Sequence, residues 1–369
     1  MQTRKFGNIF DVSAMSLGAM RLPMINNAVD EKKAVEMIRY CIDNGVNYID
    51  TAYPYHNGES EKIVGKALSG GYRNKTMLAT KLPLFGQIKS AEDFDKLLNE
   101  QLKKLQTDRV DFYLFHGLNR YNWNNLILKF NLIEKMEKAI KDGRVLHAGF
   151  SFHDDYEAFV KIVDGYNKWE FCQLQYNYMD TTMEKSLEYA YSKNIPVIVM
   201  EPVFGGKLAN PPENVKNIFD NYPVKHTPAE WALDFVWNRK EAATLLTGVS
   251  SLEQAKENVK YAQKAEVNAL TEIDLKMLNE VKAAYKKIRP VPCTNCGYCM
   301  PCPHGVDIPA NFNIYNDTYA YGLEQAKGGY MWIRGKRAEL CAACGECEAK
   351  CPQKIEISKL MPKVHDRLK

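Results

Sequence analysis

Between residues 13 and 287, short apolar or β-branched runs alternate with longer stretches whose apolar residues recur at helical spacing. That alternation restricts this part of the chain to a parallel α/β arrangement. The eight runs are Met15–Gly18, Val46–Asp50, Met77–Lys81, Val110–His116, Leu146–Ser151, Phe171–Gln175, Pro196–Glu201 and Thr244–Gly248. Helical faces fall in Glu31–Asn44, Glu92–Leu105, Leu126–Lys141, Met183–Lys193 and Pro228–Asn238, with start signals at Thr227 before Pro228 and Ser251 before Leu252. Eight strands separated by helices predict a closed (β/α)₈ TIM barrel rather than an open doubly wound sheet. The helical pattern stops at Arg289-Pro290-Val291-Pro292, which sets the expected division at a barrel over residues 1–288 and a small domain over 289–369.

Composition excludes several classes of function. The 49 basic and 45 acidic side chains form no basic stripe for nucleic acid. No window approaches the ~18 apolar residues of a membrane helix, and the opening MQTRKFGNIF lacks the apolar core of a signal peptide. The expectation is a soluble, cytoplasmic protein.

Eight of the ten cysteines crowd into residues 293–351. They read Cys293-x₂-Cys296-x₂-Cys299-x₂-Cys302-Pro303, then Cys341-x₂-Cys344-x₂-Cys347-x₃-Cys351-Pro352. The second run resembles the dicluster ferredoxins, in which three thiolates hold one [4Fe–4S] cluster and the cysteine before proline serves the other. That resemblance implies two [4Fe–4S] clusters, one on Cys293, Cys296, Cys299 and Cys351, the other on Cys341, Cys344, Cys347 and Cys302. The first run is one residue short before its last cysteine. Paired Cys₄ zinc sites are the alternative, since CxxC pairs also serve zinc. Cys41 and Cys172 lie in apolar helix and strand patterns and are expected to be buried packing residues. Residues 307–327, between the two cysteine runs, are rich in tyrosine and amide side chains and read as a helix and connector ending at Gly328-Gly329.

Active sites of (β/α)₈ barrels form where strands end. Four side chains qualify: Asp50 closing VNYIDTA, Tyr55 in the following loop, Lys81 in LATKLP and His116 in DFYLFHG. A lysine held by an aspartate beside a phenol tunes the phenol as a proton donor. Tyr55 is thus the expected acid, with Lys81 favouring its phenolate, Asp50 holding Lys81, and His116 orienting a carbonyl. Singly, such residues are more often satisfied loop groups. Tyr53 is the competing phenol, and His56, His147 and His153 are expected at the rim or surface.

In type, order and strand placement, Asp50, Tyr55, Lys81 and His116 resemble the aldo/keto reductase tetrad, over roughly residues 1–287. With the cysteine segment, the chain is similar to the subgroup of that family bearing a C-terminal ferredoxin-type domain. The resemblance extends to Gly149-Phe150-Ser151, QLQYN and TGVSSLEQAKEN. It implies an NADP(H) or NAD(H) cofactor, with Ser151 and Gln173 at the carboxamide and Met200 against the nicotinamide. Gly248, Ser250, Gln254 and Asn258 then border the adenosine end. Phe152 stands where the family has asparagine. Gly248 and Gln254 replace the cationic side chains that NADP-preferring members often carry, leaving Arg239 or Lys240 as substitutes. Gly205, Gly206 and Lys207 are candidates to cover the pyrophosphate, or else form a plain turn.

The expected activity is NAD(P)-dependent reduction of a carbonyl substrate, or oxidation of the corresponding alcohol. Clusters move single electrons and no GxGxxG fingerprint signals a flavin. The appended domain can therefore accept electrons from a ferredoxin-like partner, reduce a substrate directly, or brace the barrel. The alternative is an electron-transfer or redox-sensing module whose barrel no longer turns over carbonyls.

Overall fold

In the computed structural model, which describes Met1–Lys369, all eight runs form strands of one closed parallel sheet. They are β1 (Met15–Gly18), β2 (Tyr48–Asp50), β3 (Met77–Pro83), β4 (Val110–Leu118), β5 (Val145–Phe152), β6 (Phe171–Gln175), β7 (Val197–Met200) and β8 (Ala242–Thr247). Neighbours in sequence are neighbours in the barrel, and β8 pairs with β1 to close it. The strands are buried on both faces, as a helix-covered parallel sheet requires. Leu98 and Leu102 of the helix Glu92–Leu105 show how an apolar stripe enters the shared core.

Three local features depart from the expectations. A hairpin of Thr3–Phe6 and Phe10–Ser13 precedes the barrel, turning at Gly7, whose φ of 55° suits glycine. Its Phe6 is fully buried with Tyr48, Phe112 and Phe171, inside the barrel's own aromatic layer. The segment Leu126–Lys141 is not one helix, because a π turn (Trp123–Leu128) and the helix Leu132–Lys141 meet at Asn131, which adopts φ 50°. Between the cysteine runs stand two helices, Ile308–Ala320 and Leu323–Trp332, separated by Gly322 at φ 90°. Gly328 and Gly329 lie inside the second rather than ending the first.

By packing, the chain forms two compact units: Met1–Gly205 with Glu230–Thr271, and Gly206–Ala229 with Glu272–Lys369. The second has its own apolar core, in which Phe312, Tyr330, Ile357, Met361 and Val364 are buried and six of the eight clustered cysteines pack against them. Cys41 and Cys172 are buried in the first unit, as expected, and burial pushes the Cys41 thiol up to about 12. No helix is long and apolar enough to cross a membrane.

Candidate active site and cysteine cages

The register of β2, β3 and β4 gathers the four candidate side chains. Asp50 pairs with Ala79, so Lys81 lies two residues further on and Asp50 and Lys81 share a face; His116 then pairs with Pro83 one strand over. Lys81 and Asp50, both nearly inaccessible, form a direct ion pair. The ammonium also donates to the Thr51 carbonyl at 2.8 Å and lies 3.3 Å from the Tyr55 hydroxyl. The Tyr55 and His116 rings meet edge to face with centroids 5.9 Å apart, and Phe85 closes the other side of His116 at 5.0 Å. The structure therefore brings the four residues together.

Electrostatics bears on the protonation states of Tyr55, Lys81 and His116. Burial, then the Asp50 charge, raises the Tyr55 pKa, while Lys81 and Arg21 pull it down, so the phenol is held protonated. Burial opposes the charge on Lys81, but Asp50 and Tyr55 outweigh it and raise its pKa. Burial, with Lys81 and His153 nearby, holds His116 well below 6.5, and its buried Nδ1 has no hydrogen-bond partner. A neutral imidazole and a neutral phenol beside an ammonium suit a group that must receive hydrogen bonds.

The competing phenol, Tyr53, donates to Glu100 at 3.2 Å with Lys104 over its ring, and has no bond to Lys81. Below the tetrad is a buried polar network absent from the sequence reading. Glu61 accepts from Thr80 at 2.7 Å and Gln101 at 2.6 Å, and Gln101 also donates to the Lys81 carbonyl at 3.0 Å. Tyr113 donates to Gln101 at 2.7 Å, so the strand carrying Lys81 is tied down on its outer side.

The expected cofactor residues lie at the same end of the barrel. Ser151 accepts from the Gly117 N–H at 2.8 Å, and Gln173 donates to the free oxygen of Asp50 at 2.7 Å, leaving its own carbonyl oxygen available. Met200 ends β7, half-buried. Beyond β8, exposed Gly248 and Ser250 lead to Gln254, whose side chain accepts from the Ser250 N–H at 2.9 Å, with Asn258 one turn further along that helix. Phe152 packs on Phe159 at 5.2 Å and is buried, so it makes no polar contact.

One expectation is corrected. Arg239 and Lys240 precede β8, at the end opposite Gly248 and Ser250. Arg239 is also committed to Glu184, Glu188 and Glu241, so neither residue replaces a phosphate clamp. His56 is partly exposed in the rim loop bearing Tyr55, and its Nε2 accepts from the Leu22 N–H at 3.0 Å, tying the loop after β1 to it. His147 pairs with Glu170 at 2.6 Å, and Lys207 pairs with Asp317 at 2.7 Å within the second unit.

Arg21, which no motif marked, occupies a notable position. Its guanidinium fits between two glycine backbones: a methyl group on Gly205 would lie 3.0 Å from Nη2, and one on Gly248 3.2 Å from Nη1. The guanidinium is close enough to Tyr55 for its charge to act on the phenol, and its planar fork of N–H donors is a group suited to a phosphate or carboxylate.

In the second unit the eight cysteines separate into two sets. Cys293, Cys296, Cys299 and Cys351 surround one recess, and Cys302, Cys341, Cys344 and Cys347 surround another. These are the crossed groupings expected from the ferredoxin resemblance, despite the shortened first run. Burial and the neighbouring Cys293, Cys296 and Cys351 raise the Cys299 thiol. The donor set fits iron–sulfur clusters.

A closed barrel with an Asp–Lys–Tyr–His group at its strand C-terminal rim, joined to a cysteine-framed unit, defines an oxidoreductase with an iron–sulfur domain. Residues 14–281 match the aldo/keto reductase family, and residues 292–356 match a 4Fe-4S dicluster domain. The chain belongs to the aldo/keto reductase family. It is 28% identical over 313 residues to L-galactose dehydrogenase of Arabidopsis thaliana, covering 78% of this chain and 96% of that one. The aldo-keto reductase AKR11C1 of Bacillus halodurans, in its holo form, superposes with a TM-score of 0.64 at 27% identity, covering 76% of this chain and 96% of that one. An aldo-keto reductase of Klebsiella pneumoniae solved in complex with NADPH gives the same TM-score at 23% identity, over 76% and 95% of the two chains, a likeness of fold.

Proposed function

We propose that this protein reduces a small carbonyl substrate with NADPH or NADH, or runs the reaction in reverse, with Tyr55 as the acid. The observation carrying this reading is the buried Asp50–Lys81 pair with the Lys81 ammonium 3.3 Å from the Tyr55 hydroxyl. The bound nicotinamide supplies a hydride to the carbonyl carbon. Neutral His116 and Tyr55 orient the carbonyl oxygen, and Tyr55 delivers the proton while Lys81 stabilises the phenolate left behind. Asp50 keeps Lys81 charged, and Gln173 fixes Asp50 through its second oxygen.

Ser151, Gln173 and Met200 border the nicotinamide end, and Gly248, Ser250, Gln254 and Asn258 the adenosine end. Arg21 is the cation for the cofactor diphosphate. We assign residues 1–288 to catalysis and 289–369 to two [4Fe–4S] clusters in a cytoplasmic enzyme. One cluster is held by Cys293, Cys296, Cys299 and Cys351, the other by Cys302, Cys341, Cys344 and Cys347. When bound, they supply one-electron exchange with a redox partner.

Replacing Tyr55 with phenylalanine in cluster-replete protein tests the assignment. Carbonyl-dependent oxidation of NADPH is expected to fall by about 10²–10⁴-fold, with cofactor binding, read by fluorescence, unchanged. Equal turnover before and after overturns the tetrad.

A further inference from the structure

The second unit carries a surface that its own packing leaves unused. Trp332 is 85% exposed and Met331 67% exposed, at the end of the helix Leu323–Trp332. The two are adjacent, with Met331 Sδ also accepting from Arg337 Nη2 at 3.4 Å, and Trp, Met and Arg are the types enriched at protein interfaces. Arg334 and Lys336 follow, both exposed and neither paired with an acid. Arg337 is half-buried, donating to the Tyr330 carbonyl at 2.9 Å. The one acid in Met331–Leu340 is Glu339, which faces His365 at 3.8 Å. The strip is therefore aromatic, apolar and cationic.

Its position relative to the cysteines gives it meaning. The Lys336 carbonyl accepts from the Asp307 N–H and from Asn311 Nδ2, each at 2.9 Å, and the flanking Val306 and Ile308 line the recess of Cys302, Cys341, Cys344 and Cys347. Three residues beyond Ala338, whose N–H is held by Asn311 at 2.8 Å, the chain reaches Cys341. Cys344, on the same recess, is exposed. The other recess is edged differently: no charged residue lies between Cys293 and Cys302, where Tyr298 and Met300 are exposed, and its cations, Lys350 and Lys354, flank Cys351.

We propose that Met331, Trp332, Arg334 and Lys336 form the docking surface for an acidic one-electron carrier protein, which exchanges electrons with the cluster held by Cys302, Cys341, Cys344 and Cys347. This rests on the two-cluster reading above and names its partner. Per encounter, one electron leaves the reduced carrier and enters that cluster; no bond forms or breaks, and no proton is required. An acidic partner complements the cations, and Trp332 supplies the apolar anchor at the contact centre.

The test uses the full-length holoprotein, with iron and sulfide measured first, and an acidic [2Fe–2S] ferredoxin reduced in advance as the probe. Stopped-flow absorbance gives the second-order rate of cluster reduction. Raising the salt from low to physiological strength is expected to slow it by about tenfold or more. Arg334→Glu with Lys336→Glu, and separately Trp332→Ala, should each slow it about tenfold at low salt. Reduction by dithionite and carbonyl-dependent NADPH oxidation should not change. A rate insensitive to salt and to both variants overturns the docking surface. A dimer that Trp332→Ala converts to monomer also overturns it, showing a self-association face instead. Absence of iron and sulfide is a separate failure, of the cluster reading itself.

Discussion

Lys81→Met is the perturbation that separates stability from chemistry at this site. The substitution removes the ammonium and leaves the Asp50 carboxylate buried with only the Gln173 amide for company. Stranding one member of a buried ion pair costs about 3–5 kcal/mol. With an m-value of about 3 kcal/mol/M, the urea midpoint of the barrel, followed by far-UV circular dichroism under anaerobic conditions, should fall by roughly 1–1.7 M. Adding Asp50→Asn removes the orphan charge, and replacing both ions by neutral groups is often close to neutral. The double variant should therefore regain most of the lost midpoint. Turnover should not return, because the cation that stabilises the Tyr55 phenolate is gone in both, and kcat should stay about 10²–10⁴-fold down. If the double variant unfolds as early as Lys81→Met, the charges are not coupled as argued. If it also turns over, Lys81 has no role in the proton transfer.

Three further outcomes follow from named contacts. Arg21→Ala should weaken NADPH binding by about 10–100-fold, the loss of a charge-assisted hydrogen bond worth about 1.5–3 kcal/mol, in a fluorescence titration; a change within twofold removes Arg21 from the cofactor site. Burial holds His116 well below its usual 6.5, so the unfolded chain takes up a proton first, and this contribution to stability is present above pH 6.5 and lost as the pH falls below it. His56 and His153 shift in the same direction, and His116→Gln should flatten the acid limb by about 1.4 kcal/mol per pH unit; an unchanged slope refutes the buried neutral imidazole. Cys351→Ser should lose about half the iron, and adding Cys296→Ser should lose no more, whereas adding Cys344→Ser should lose the rest. The reverse pattern uncrosses the ligand sets.

The barrel was legible because its signal is local. Each strand run is bounded by helix-period sequence, and Asp50, Lys81 and His116 fall at strand ends where the fold places chemistry. Helix continuity was less so: the apolar spacing of Leu126, Ile127, Phe130, Ile133 and Met136 runs through Asn131, whose positive φ breaks the helix without disturbing the pattern. The hairpin at residues 3–13 was hidden because its exposed face is charged and its buried residues, Phe6 and Val12, meet partners far away in sequence. Arg21 illustrates the limit most clearly. Its significance comes from Gly205 and Gly248, which lie in the loops after β7 and β8, far away in sequence, and a lone arginine after a strand carries no spacing to read. The same holds for Gln173, whose bond to Asp50 spans 123 residues. The cysteines were the opposite case, since the resemblance their spacing bears to dicluster ferredoxins implies the two groupings that line the two recesses.

The central claim is that the carbonyl is reduced in the barrel by a hydride and not through the sulfur-held clusters by single electrons. Turnover with NADPH carrying deuterium at the transferred position, followed by mass analysis of the alcohol, addresses it directly. The account predicts one deuterium on the former carbonyl carbon per product molecule; alcohol formed without the label contradicts it.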